Sequence, residues 1–247
     1  MQIPGRRRSQ PASQTAGRGR QWSRVRRSER QRGATATAVA CASLGEVWLN
    51  LVDLTLRRGA RMGNEGRELL GVQVQFPGVV GRDRVIAEFG DRRLVAEMEK
   101  VFFSDAPNAL GHSYAGLMRG PAGRRDLRDV IALLRTEPDT KRAVVTVCGQ
   151  GKGRVPCINV VQFLVRGRAV QTVYFARGQD AFRKFYADGL CLAQMGQSVA
   201  RGVGLPMGGV TGFIASSHVY DTDLPAIAEL RVRARRYLRP RPRKGAV

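Results

Sequence analysis

The sequence predicts an α/β fold of the α+β kind, with a mixed sheet in a single domain flanked by disordered basic tails. Three observations carry this. Strand-like and helix-like segments follow one another in mixed order rather than in strict alternation, which argues against a parallel doubly wound sheet. Two β-branched runs, 158–165 and 169–176, are joined by Arg-Gly-Arg, a hairpin signal that requires antiparallel neighbours. Charge is segregated as well: of 42 Lys and Arg, ten lie in residues 1–33 against the single acid Glu29, and eight lie in 231–247 against none. The two ends thus hold +9 and +8 of the formal +22, leaving +5 for residues 34–230. The expected organisation is an Arg-rich extension over 1–40, a folded domain over 41–230 and a basic tail over 231–247.

The elements follow in order. Residues 44–58 (LGEVWLNLVDLTLRR) place apolar side chains at 47, 48, 51, 54 and 56 and end on two arginines, which predicts an amphipathic helix. LLGVQVQF over 69–76 alternates as a strand does. Residues 92–103 and 127–135 read as helices, the second running toward Pro138. Three β-branched runs follow at 143–147, 158–165 and 169–176. A long Leu-, Ala- and Met-rich helix is expected over 182–203, closed by Gly202 and Gly204, and a last strand over 210–220.

Composition excludes several classes of function. No window approaches 18 consecutive apolar residues, so no transmembrane helix and no membrane partner are expected. The opening MQIPGRRRSQPASQ has no apolar stretch behind its arginines, unlike a secretory signal. The four cysteines (41, 148, 157 and 191) form no CxxC pair and only two histidines accompany them, so neither a disulfide scaffold nor a metal site is expected. A reducing cytoplasm is the expected compartment. The pI of 11.4 belongs mostly to the tails. That weakens a dedicated nucleic-acid-binding role, whose charge should lie on the folded surface, and leaves nucleic-acid binding by the tails as a minor reading.

Candidate chemistry begins at Cys157, which enters a strand directly after Pro156 and a basic loop. Basic surroundings lower a thiol pKa toward reactivity, whereas most cysteines are simply buried. Arg177-Gly-Gln-Asp180 follows a strand and precedes the long helix. Arginine there can grip a phosphate, and aspartate can accept from a ring N–H. Asp188 lies eight residues beyond Asp180, in an otherwise apolar stretch of that helix. His218 and Tyr220 alternate on one strand and so point the same way. Each signal is weak when taken singly.

Together they resemble a family. Val155-Pro-Cys-Ile-Asn-Val-Val-Gln162-Phe163 is similar to the Pro-Cys-His-x-x-x-Gln-Phe nucleophile segment of thymidylate synthase, and Arg177-Gly-Gln-Asp180 to its Arg-Ser-x-Asp. The helix at Asp188 resembles the family's base-reading helix, and His218-Val-Tyr220 its His-x-Tyr strand. Spacings agree: 20 residues from Cys157 to Arg177, 3 more to Asp180, 11 from Arg177 to Asp188 and 61 from Cys157 to His218. Upstream, Glu137-Pro-Asp-Thr-Lys-Arg142 matches the family's Asp-Pro-x-Ser-Arg-Arg, so the resemblance covers about residues 44–225.

The resemblance implies a thymidylate synthase-like fold and a role for each residue. Cys157 adds to C6 of a pyrimidine nucleoside monophosphate, making C5 nucleophilic. Arg177 holds the 5′-phosphate, joined by Arg142 (with Lys141) from the partner subunit of a homodimer with shared active sites, and by Arg61 in preference to Arg67. Gln162, His218 and Tyr220 contact the substrate, and Asp180 binds the co-substrate 5,10-methylenetetrahydrofolate. Glu97 or Glu99, ahead of Phe102-Phe103, supplies the family's acid/base; both stay open. Tyr114 falls where the family has Gly-x-Tyr-Gly.

Departures from the pattern carry information. The family's base-reading Asn is Asp188 here, and a carboxylate can accept from the 4-amino group of cytosine but cannot donate to O4 of uracil unless protonated. In this the chain resembles the deoxycytidylate and cytidylate hydroxymethylases. Gly178 replaces the Ser after the phosphate-binding Arg, Ala176 the usual Gln before it, and Ile158 the His after the nucleophile. The short Arg-rich end in place of a long closing segment implies a site that admits water, as hydroxymethylation requires. The expected activity is hydroxymethylation of CMP or dCMP; the alternatives are methylation of dUMP and a basic, non-catalytic relative that binds nucleic acid.

Overall fold

Strand pairing sets the architecture, and helices cover one side of it. The computed structural model describes residues 37–238 except 79–80, 82, 108–110, 112, 120–125 and 148–154. Along the chain come β1 (Thr37–Ala40), α1 (Leu44–Arg58), β2 (Ala60–Met62), β3 (Gly66–Pro77), α2 (Arg84–Phe89), α3 (Arg92–Phe103), α4 (Tyr114–Met118) and α5 (Leu127–Thr136). There follow β4 (Val144–Thr146), β5 (Ile158–Arg166), β6 (Ala169–Ala176), β7 (Gln179–Asp180), α6 (Phe185–Val203), β8 (Met207–Tyr220), a 3₁₀ turn at Asp221–Asp223 and α7 (Leu224–Arg233). The sheet runs β1-β3-β8-β6-β5-β4, with β2 on β3 and β7 on β8. It is mixed: β3 and β8 pair antiparallel from Gly66↔Tyr220 to Pro77↔Gly209, whereas β6 and β7 both run parallel to β8. The mixed α/β class is as expected and agrees with the fold the resemblance implies.

Local chemistry explains the element boundaries. Ser43 Oγ accepts from the Glu46 N–H at the start of α1, Asp91 caps α3, and Asp126 with Asp129 forms a capping box on α5. Asp83 caps α2 and also accepts from the Gly45 N–H at 2.7 Å, tying that helix to α1. Between β5 and β6, Gly167 and Arg168 both take positive φ (57° and 60°), the primed turn that matches the twist of a two-residue hairpin.

Three boundaries differ from expectation. The sheet begins at Thr37, inside the stretch assigned to the extension, because β1 pairs in parallel with β3 (Val39↔Val74) and buries Val39. The chain also stays packed past residue 230, where Ala234 is buried and Tyr237 joins the core's margin. Finally, α6 starts at Phe185 rather than 182, because the Asp180 carboxylate accepts from the Phe182 and Arg183 N–H groups and holds them in a turn. Residues 1–36 and 239–247, hence most of both tails, lie outside the described residues.

The core lies between the sheet and α1 and α6. Trp48, Leu51, Phe163, Phe185, Leu192 and Met195 are fully buried there, and each such side chain contributes roughly 1.5–3 kcal/mol relative to exposure. Helix α6 approaches the sheet closely: a Cβ at Gly196 would come within 2.4 Å of Thr172 Oγ1 on β6. On the opposite sheet face Gln73, Gln75, Phe175 and Phe213 are exposed.

Candidate active site

Topology alone gathers the motifs. Cys157 precedes β5, Arg177 follows β6, Asp180 ends β7, Asp188 lies in the first turn of α6, and His218 and Tyr220 end β8. Because β5 runs antiparallel to β6, and β6 and β7 run parallel to β8, these positions meet at one end of the sheet. The Arg177 N–H donates to the Cys157 carbonyl at 2.9 Å, and Asp180 sits in register with His218. The His218 and Tyr220 rings lie 5.2 Å apart, edge to face.

Asp188 is the electrostatic centre. It is 4% exposed. Gln179, 1% exposed, donates from Nε2 to Asp188 Oδ2 at 2.8 Å, while Oδ1 is buried without a hydrogen-bond partner among the described residues. Burial raises the carboxyl pKa to about 6, partly opposed by the Gln179 hydrogen bond and the Lys184 ammonium. The Asp188 charge reaches Cys157, Tyr114, Tyr174 and Cys191, raising each of them.

Cys157 differs from expectation. The basic loop was expected to lower its thiol pKa, yet burial and then Asp188 raise it, outweighing Arg177 and Lys184. Loop residues 148–154 lie outside the described residues, Cys148 among them. Tyr114 reaches the same place from α4, its hydroxyl accepting from the Ile158 N–H at 3.5 Å.

Asp180 gives Oδ1 to the two N–H groups of the following turn, while its Oδ2 has no hydrogen bond among the described residues. The carboxyl is raised by burial, with the Arg183 N–H opposing. Arg177 is exposed but held: Nε donates to the carbonyls of Val155 and Pro156 at 3.1 and 3.0 Å, and Nη2 to Val155 at 2.6 Å. Its guanidinium therefore braces the turn carrying Cys157, with one side of the fork turned elsewhere.

The remaining expected residues stand outside this cluster. Arg61, on β2, donates from Nη1 to both carboxylate oxygens of Asp221 at 2.9 and 2.8 Å, and Arg67 donates to the Gly59 carbonyl. Arg142 pairs with Glu137 at 2.5 Å. Gln162 donates to the Lys141 carbonyl at 2.7 Å, on the strand face opposite core residues Val161 and Phe163. Glu97 and Glu99 are both exposed on α3, and only the Glu99 charge is felt toward the site, at Cys191.

The structure adds two residues that motif reading passed over. Gln179, inside the quoted Arg-Gly-Gln-Asp, hydrogen-bonds Asp188, and Lys184 acts on both Asp188 and Cys157 while its Nζ donates to Met98 Sδ at 3.5 Å. Their signal in the sequence was position alone: Lys184 precedes Asp188 by one helical turn. Among the described residues no group of three His, Cys, Asp or Glu is placed to hold a metal ion, and no helix is long and apolar enough to cross a membrane.

Comparison with known proteins points the same way. No protein-family model matches the chain. A Methanocaldococcus jannaschii protein named "Putative thymidylate synthase" is 32% identical over 120 residues, which are 44% of this chain and 54% of the relative. Two more proteins of that name are similar. The one from Methanothermobacter marburgensis is 22% identical over 218 residues, 79% of this chain and 98% of the relative. The one from Methanothermobacter thermautotrophicus is 23% identical over 133 residues, 52% of this chain and 60% of the relative. The chain thus spans about half the length of the first relative and nearly all of the second. These likenesses support a thymidylate synthase-like family.

Proposed function

We propose that the protein transfers a one-carbon unit from 5,10-methylenetetrahydrofolate to C5 of a pyrimidine nucleoside monophosphate, hydroxymethylating CMP or dCMP in the cytoplasm. The observation that carries this reading is the charge of a buried carboxylate, Asp188, acting on Cys157, with Asp188 Oδ1 lacking a hydrogen-bond partner among the described residues. An orphaned buried acceptor asks for a donor, and the 4-amino group of cytosine is one where O4 of uracil is not.

The chain's own groups divide the work. Cys157 Sγ bonds to C6, and C5 becomes the carbon nucleophile. Because the free thiol is held high, the attacking thiolate is a minor species that Arg177 and Lys184 favour. Asp188 orients the base, and His218 with Tyr220 faces the ribose. Methylenetetrahydrofolate, when bound, supplies the one-carbon electrophile. Asp180 suits its pterin, since the half-buried residue uses only Oδ1 in hydrogen bonds among the described residues. Glu97 and Glu99 remain candidates for proton transfer across the α3 side, and Arg177, Arg142, Arg61 and Gln162 for holding the nucleotide.

The second reading, methylation of dUMP, is favoured by the name the relatives carry. A homodimer belongs to both readings. Phe175 and Phe213 stack 5.9 Å apart on the sheet face opposite α1 and α6, 37% and 47% exposed, and a second copy of the chain would cover them. Purified protein with methylenetetrahydrofolate is offered CMP, dCMP and dUMP, and products are read by mass, a hydroxymethyl group being one oxygen heavier than a methyl. Hydroxymethylated cytidylate is expected, and Cys157→Ser abolishes it while leaving nucleotide binding. Methylated dUMP alone establishes the second reading. No product from any of the three, with nucleic acid bound instead, overturns both.

A further inference from the structure

We propose that Gln179 is a specificity-determining positioning residue: its amide holds Asp188 as a carboxylate and leaves one oxygen to the substrate base. The inference rests on the nucleotide reading above and deepens it.

Geometry carries the argument. Gln179 Nε2 lies 2.8 Å from Asp188 Oδ2, and both side chains are almost wholly buried. Gln179 has little freedom to leave. Its backbone pairs with Ser217 on β8, and Ser217 Oγ in turn shares a buried 2.9 Å hydrogen bond with Thr55. Donation by the amide –NH₂ needs an unprotonated oxygen opposite, whereas the amide carbonyl facing that oxygen would need a proton on Asp188. Amide orientation and the proton on Asp188 are therefore one coupled variable. In the donating orientation Oδ2 is occupied and Oδ1 is a bare acceptor, which a cytosine amino group satisfies and uracil O4 repels.

Other groups bear on the same proton. Lys184 favours the carboxylate, Asp180 opposes it, and Tyr114, Tyr174, Cys157 and Cys191 all lie within reach of its charge. The balance leaves Asp188 titrating near pH 6, where one lost hydrogen bond changes its state at neutral pH.

The test has two readouts, on the full chain. In the nucleotide-free protein, carbon-13 NMR of labelled Asp carboxyls follows Asp188, identified by the signal that Asp188→Asn removes. Gln179→Leu should move its midpoint up by about one pH unit or more. Gln179→Glu, an isosteric acid that keeps the cavity filled, should move it further and serves if the leucine variant does not fold. Binding titrations with CMP and UMP, and with dCMP and dUMP, then follow the consequence. In Gln179→Leu, a one-unit rise should lower cytidylate affinity about twofold at pH 7 and a two-unit rise about tenfold, with recovery at alkaline pH and a narrowed advantage over uridylate. A merely structural role would not give a loss that pH restores. An unmoved midpoint in both variants overturns the proposal, as does a moved midpoint with an unchanged base ratio in a protein that prefers cytidylate. If the midpoint moves but the wild type binds both bases alike, the base assignment under the proposed function fails and Gln179's hold on Asp188 stands.

Discussion

Replacing Asp188 by Asn should make Cys157 more reactive in the free protein while impairing its use of cytidylate. The thiol is raised first by burial and next by the Asp188 charge. Removing that charge lowers it, and each unit of lowering increases the thiolate fraction tenfold. Intrinsic nucleophilicity falls as the thiol becomes more acidic, by about threefold per unit at a Brønsted slope of 0.4–0.5, so the net gain is about threefold per unit. The sign depends on pH. With a carboxyl pKa of about 6, Asp188 is nearly all ionised at pH 8 and mostly protonated at pH 5, so the difference between variant and wild type should appear above pH 6 and vanish below it. The assay is iodoacetamide alkylation at several pH values, quantified on the Cys157 peptide by mass spectrometry, with the Cys41 peptide, whose thiol is raised by burial and Glu46 instead, as the control. Slower alkylation in Asp188→Asn, or an enhancement of equal size at pH 5 and pH 8, would refute the placement of the Asp188 charge beside the thiol.

Two further outcomes are expected. Arg168 holds φ at 60° in the β5–β6 turn, a conformation costing a side chain about 1–2 kcal/mol that glycine avoids; Arg168→Gly should raise the melting temperature by a few degrees by calorimetry, and a fall would show that arginine's own contacts outweigh the strain. If Arg142 completes a neighbouring subunit's phosphate site, mixed dimers of Arg142→Ala and Cys157→Ala subunits should regain one working site per dimer; verified heterodimers with no activity would remove the shared site.

What the sequence made legible was whatever local patterning decides. The helix over 44–58 appears at its expected residues, and the strands over 69–76 and 210–220 appear slightly longer, because periodicity and capping are read within a few residues. The short elements were missed for the opposite reason. β1 and β7, of four and two residues, owe their existence to partners far along the chain, β3 and β8, and no window of sequence contains them; β2, three residues in a hairpin with β3, is too short for a period of two to show. The site divides the same way. Residue types at motif spacings identified Cys157, Arg177, Asp180, Asp188 and His218 as a group. They could not tell that Arg177 would turn its donors to the carbonyls of Val155 and Pro156, nor that a thiol behind a basic loop would be raised. Both depend on burial and on who faces whom, which are properties of the packed end of the sheet.

The position of Asp188 is costly, and the size of the cost argues for its use. A carboxyl raised from 3.8 to about 6 by burial stabilises the fold in its protonated form. That contribution is fully present below the unfolded value and is lost as pH rises through about 6. At neutral pH the ionised group therefore withholds about 3 kcal/mol, taking 1.36 kcal/mol per unit, against the 5–15 kcal/mol that ordinarily holds a domain together. An asparagine would fill the same space and could still accept from Gln179 through its amide oxygen, with no charge to desolvate. The fold thus has a cheaper neutral alternative at this position and does not use it. Gln179 and Lys184 are arranged to keep the more expensive ion charged, its charge acts on Cys157, and its Oδ1 has no hydrogen-bond partner among the described residues. A purely structural carboxylate would be expected to have both oxygens satisfied by the chain. One whose buried oxygen goes unpaired among the described residues, and whose charge acts on a thiol, is arranged for a donor supplied by a ligand.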